Sequence, residues 1–143
     1  MKVLGVFTGL YTNIKLFFKF MNFQTSIQTC FKKYAQFTGR ASRSEFWFFA
    51  LFGLIGGLIT VVIDTMLLGY PFEDYGPINI IFQIAIFIPY LAVGARRLHD
   101  INRSGWWQLI TLTIIGIILL IVWWATVGEK KKNNHGNPIK LKK

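Results

Sequence analysis

Most of the side chains in this sequence that could do chemistry lie in Arg96-Arg97-Leu98-His99-Asp100-Ile101-Asn102-Arg103-Ser104-Gly105-Trp106-Trp107, a charged stretch set between two long apolar runs. His99 followed by Asp100 invites a general-base dyad, but neighbours on a helix point about 100° apart and are poorly placed to bond each other. No Ser or Cys nucleophile motif accompanies them. No catalytic residue is therefore expected, and the chain is read as non-enzymatic. Metal chemistry is as thinly supplied. His99 and His135 are the only histidines and Cys30 the only cysteine, so neither a Cys-based metal site nor an internal disulfide can form. No metal and no other cofactor is expected.

Arginine is better represented. Arg40 and Arg43 open one apolar run, and Arg96, Arg97 and Arg103 close another, with Glu45 and Asp100 as the carboxylates beside them. Pairing across the bundle would make Glu45 and Asp100 structural ion pairs that fix how the helices meet. Five guanidinium groups exceed two carboxylates, and the surplus forks match phosphate geometry. The expected partners are membrane lipids, mainly anionic headgroups, or an acidic partner protein, with Trp47, Trp106 and Trp107 as interface anchors. A second candidate is Asp64, an acid inside an apolar run, two turns beyond Gly57 on the same face. With Gln83 at a similar depth it forms a polar pair, either as packing glue or as the path of a small oligomeric transporter or channel component that also uses Pro89.

The elements that must position these groups are membrane segments. The chain has 143 residues, 53% of them hydrophobic and only 15% charged, with a net charge of +10. That is too apolar for an ordinary soluble domain. The basic residues flank apolar runs instead of lining one face, which argues for lipid headgroups and against nucleic acid.

Residues 1–20 read as a basic, aromatic extension suited to an interfacial helix, in which Lys15 interrupts any signal-peptide pattern; Met21 is an alternative start. From Met21 to Phe37, Phe23, Ile27, Cys30, Phe31, Tyr34 and Phe37 recur at steps of three and four, predicting an amphipathic interfacial helix, and Thr38-Gly39 breaks it. Ser42 with Glu45 three residues later fits a capping box. A first span is expected over about 46–68, with Gly53 and Gly57 as a small-residue packing pair open to a neighbouring helix or a second copy. The acidic loop from Gly69 to Pro77 belongs outside. Pro77 suits a first helical turn, and a second span follows over 78–95, kinked at Pro89 and continuing through His99.

The third apolar run, 106–127, has tryptophan pairs at both ends, Trp106-Trp107 and Trp123-Trp124, and reads as a full span between two interfaces. The alternative is a re-entrant hairpin folding near Gly116. The two differ over the basic tail, 128–143. Three spans from a cytoplasmic N-terminus put that tail outside, against the positive-inside rule, whereas a hairpin keeps it inside. The expected fold is an all-α membrane protein with three transmembrane helices preceded by an amphipathic interfacial helix, multi-pass, with its N-terminus cytoplasmic.

Two blocks carry a family resemblance. Phe37-Thr38-Gly39-Arg40-Ala41-Ser42-Arg43-Ser44-Glu45-Phe46-Trp47 and Arg96-Arg97-Leu98-His99-Asp100 to Arg103-Ser104-Gly105-Trp106-Trp107 resemble the family catalogued as domain of unknown function 805, small bacterial inner-membrane proteins of the YhaH type. The likeness covers 21–138. It implies the bacterial cytoplasmic (inner) membrane and no established activity. The family's Asn-x-aromatic-Gly ending is matched loosely by Asn133-Asn134-His135-Gly136, with His135 in place of the aromatic.

Overall fold

The structure, a computed structural model, describes residues 22–139; the expectations for 1–20 and for Met21 lie outside them. The regular elements of the described residues are all helices, and the tail beyond them holds one isolated antiparallel bridge, Asn133 with Gly136. The order is α1 (Phe23–Lys32), α2 (Arg43–Leu68), α3 (Pro77–Asp100), a 3-10 helix (Gly105–Leu112) and α4 (Ile114–Ala125). Local signals set most boundaries. Asn22 caps α1 by accepting from the Thr25 amide. Ser42 caps α2 by accepting from the Glu45 amide at 3.1 Å, and the Glu45 carboxylate accepts from Arg96. Gly69 ends α2 in the left-handed region at φ 71°, which glycine adopts without strain. Pro77 opens α3, where its missing N–H costs nothing.

Among the described residues two helices, α2 and α3, are long and apolar enough to cross a membrane. They pack along each other through the small-residue stripe of α2, where Gly53 and Gly57 meet Ile86 and Gln83 of α3 and Gly56 lies under the Phe82 ring. The close helix approach expected at Gly53 and Gly57 is thus made within the chain, by α3. Pro89 leaves α3 continuous. The carbonyl of Ala85, deprived of its helical donor by the proline, instead accepts from the Tyr34 hydroxyl at 2.7 Å.

Helix α1 lies across α2. Phe23 and Phe31, two turns apart on α1, meet Phe48 and the Phe49/Phe52 pair, all within little more than one turn of α2. Its buried side carries Cys30. Burial, reinforced by the nearby Glu45 carboxylate, pushes the Cys30 thiol up to about 12. Below that pH the thiol stays neutral, so alkylation by iodoacetamide in intact protein is expected to be slow and nearly flat across the neutral range. The same cysteine in SDS-unfolded protein should react with the ordinary thiol profile. Equal rates in the two states would contradict this buried position.

The third apolar run departs from the expected single helix. It is a 3-10 helix, a break at Thr113 and a 12-residue α-helix, and it starts and finishes at one place. Gly105 packs on Ala95 and donates its amide to His99 Nε2, while Trp124 and Thr126 give their carbonyls to Arg97. The tryptophan pairs do not stand at opposite ends of one helix. Trp107 and Trp123 touch edge to face with centroids 5.5 Å apart. The hairpin closes where the Gly116 backbone lies against the Ile110 carbonyl, leaving no room for a Cβ. The core sits at the end where all five helices meet, around Cys30, Phe46, Phe49, Val93, Leu98, Leu120 and Trp124.

Candidate functional site

The charged stretch that closes α3 becomes a buried hub. Arg96 and Arg97 have no exposed surface, and Arg40, Glu45 and Asp100 are nearly as deep. Arg96 pairs with Glu45 at 2.9 Å, joining α3 to α2, and donates to the carbonyls of Lys33 and Gln36 beyond α1. Asp100 takes two arginines, Arg40 Nε at 2.8 Å on one oxygen and Arg97 Nη1 at 2.7 Å on the other. The expected pairing of Glu45 and Asp100 with arginines is therefore present, each with a defined partner.

The guanidinium surplus is used internally. Arg97 gives its remaining donors to the carbonyls of Trp124 and Thr126, tying down the end of α4. Arg40 reaches the carbonyls of Lys131, Gly136 and Glu129 in the tail. Backbone oxygen atoms, which sequence spacing cannot reveal, thus take up the forks expected to face phosphate at Arg40, Arg96 and Arg97. Arg43 is half-buried and borders a cleft of about 430 Å³ between Ser42, Lys130, Val127 and Pro138. Arg103 lies over the Trp123 ring, 4.0 Å from its centroid, a cation–π contact.

The tail docks on this hub. Asn133 and Gly136 exchange backbone hydrogen bonds of 3.1 Å in a tight turn, and the Asn133 side chain donates to the His99 carbonyl at 2.9 Å. The His135 ring stacks on His99 with centroids 3.8 Å apart. The two histidines, which a three-span topology would put on opposite sides of the membrane, are in contact. Both nitrogens of His99 are engaged by backbone, Nδ1 at the Gly39 carbonyl and Nε2 at the Gly105 amide. Among the described residues no group of three or more His, Cys, Asp or Glu side chains could hold a metal ion.

Trp106 is 80% exposed and Trp107 46%, while Trp47 is half-buried against Phe46. At the far end, Asp64 is buried but does not meet Gln83, which is exposed. Its two oxygens accept the amides of Ile78 and Asn79 at 3.1 and 2.8 Å, so α2 caps the first turn of α3. Asn79, which periodicity did not single out, completes the tie by donating to the Gly57 carbonyl and the Thr60 hydroxyl. The available signal is a polar residue at the second position of the predicted span.

The charge distribution is polar along the molecule. All ten described Lys and Arg residues lie on α1, at the start of α2, at the end of α3 or in the segments docked there, whereas the loop joining α2 to α3 holds Glu73 and Asp74 and no cation. A family model described as "Protein of unknown function (DUF805)" matches residues 34–137. Inner membrane protein YhaI of Escherichia coli strain K12 is 40% identical over 112 residues, covering 77% of this chain and 91% of YhaI. Inner membrane protein YhaH of the same strain is 38% identical over 111 residues, 77% of this chain and 92% of YhaH. No solved structure matches.

Proposed function

The chain belongs to the DUF805 family, and on that basis we propose that it is a non-enzymatic inner-membrane protein whose basic cytoplasmic end binds anionic lipid headgroups. In this reading α2 and α3 cross the bilayer, the 3-10 helix and α4 enter and leave the cytoplasmic leaflet as a re-entrant hairpin, and α1 lies along that leaflet. The observation that carries it is the segregation of cations. Among the described residues, ten Lys and Arg stand against three carboxylates at one end, and the other end carries acids alone. A hairpin removes the conflict between a basic tail and the positive-inside rule. The buried arginines frame the face, while Lys32 and the exposed Lys130, Lys131 and Lys132 supply charge to lipid phosphates.

The test is native mass spectrometry of protein released from nanodiscs containing phosphatidylglycerol, comparing wild type with Lys130→Gln/Lys132→Gln. Each lysine near the surface is worth about 1 kcal/mol toward anionic lipid, so the double variant should retain clearly less phosphatidylglycerol and keep its thermal midpoint. Equal retention would remove the lipid-binding reading. The transport alternative is less well supported, because both oxygens of Asp64 are committed to backbone amides.

A further inference from the structure

We propose that this protein is a one-leaflet wedge that partitions to membrane curved toward its acidic end, with the crowded cytoplasmic leaflet on the convex side; this rests on the topology given above. Helix α2, at 26 residues, rises roughly 39 Å and can cross the hydrocarbon core. The 12 residues of α4 rise roughly 18 Å. The eight residues of the 3-10 helix rise roughly 16 Å. Neither arm of the hairpin can reach the far side. Their contacts place them beside the last turns of α3: Gln108 donates to the Leu91 carbonyl, and Trp124 donates to that of Gly94.

The consequence is an unequal cross-section. Among the described residues the cytoplasmic half contains α2, α3, the 3-10 helix and α4, with α1 lying across α2, and the opposite half contains α2 and α3 alone. The hairpin surface is apolar and open. Leu112, Ile114 and Ile115 at its tip are more than four-fifths exposed, and Leu109, Ile118 and Val122 more than half. In a bilayer acyl chains cover these side chains. One leaflet must therefore accommodate about two more helical cross-sections than the other, besides α1 in its plane. That strain is relieved where the cytoplasmic leaflet is stretched. In the second leaflet the described residues add no further helix, and the polar tie of Asp64 with Ile78 and Asn79 holds α2 and α3 together.

The experiment is to reconstitute the full chain in giant unilamellar vesicles of zwitterionic lipid, with and without phosphatidylglycerol, and draw membrane tubes from them. Labels on the tail, read with a membrane-impermeant quencher, sort vesicles by orientation. With the basic end outward, protein density on narrow tubes relative to the parent vesicle should rise by about twofold or more, and with the basic end inward it should fall. Protein that has lost its fold would not change sign with orientation. Equal densities in both orientations would overturn the wedge while leaving the topology standing. Protease sites engineered at residue 22 and in the tail that open on opposite sides of sealed vesicles would overturn topology and wedge together. Sorting that persists without phosphatidylglycerol separates the wedge from headgroup binding.

Discussion

Arg97→Ala is expected to lower the thermal midpoint of the protein sharply in mild detergent and to expose the chain beyond Trp124 to proteolysis. Arg97 is fully buried and holds three separate pieces together: its own helix through Asp100, the last turn of α4 through the Trp124 carbonyl, and the exit from that helix through Thr126. Truncation leaves two carbonyls without that donor and leaves Asp100 with one guanidinium in place of two. Breaking a buried charge pair from one side costs about 3–5 kcal/mol, since the remaining partner keeps its desolvation penalty. Arg97→Lys should recover only part of this, because one ammonium cannot reach three acceptors in the fork geometry. A variant as stable and as protease-resistant as wild type would show that the hairpin is held elsewhere. The same reasoning makes Arg96→Ala a folding variant, which is why exposed lysines are the proper probes of lipid binding.

Much of the bundle was legible because its signals are local. Ser42 before an apolar run, Pro77 after an acidic turn, and cations gathered at the end of α3 each act within one helical turn, and the structure places helix boundaries beside all three. The third apolar run was not legible in the same way. A run of about twenty predominantly apolar residues satisfies a hydropathy criterion whether the chain crosses or turns back, and paired tryptophans prefer the interface in both cases. What distinguishes the two is a contact at long range, Trp107 on Trp123, together with the close approach of Gly116 to the Ile110 carbonyl. The hints in the sequence are Gly116 in the middle of the run and the disagreement between the lysine-rich tail and a three-span topology. The arginines illustrate the same limit. Their carboxylate partners could be named from sequence, but five of the backbone carbonyls that fill their forks, at Trp124, Thr126, Glu129, Lys131 and Gly136, come from the distant hairpin end and the tail.

Asp64→Ala provides the second large expected effect and decides what an acid inside an apolar helix is for. Both carboxylate oxygens accept amides from the first turn of α3, where a negative charge also meets the positive end of the helix dipole. Hydrogen bonds to a charged group contribute about 1.5–3 kcal/mol each, and the alanine variant should be destabilised on that scale, with α2 and α3 loosened at their acidic end. Gly76 supplies an independent check. A Cβ there would lie 2.3 Å from the Asp64 carboxyl carbon, so Gly76→Ala must push the carboxylate off its amides without altering a titratable group. A structural cap predicts that both variants lose thermal stability in parallel, and that neither changes ion or proton flux across reconstituted vesicles. A conduit predicts that Asp64→Asn, which keeps one carbonyl acceptor, abolishes flux at nearly native stability. Flux that depends on Asp64 in a protein of unchanged midpoint would therefore return the acid to a transport role; parallel destabilisation would make it the counterpart, at the acidic end, of the arginine hub at the basic one.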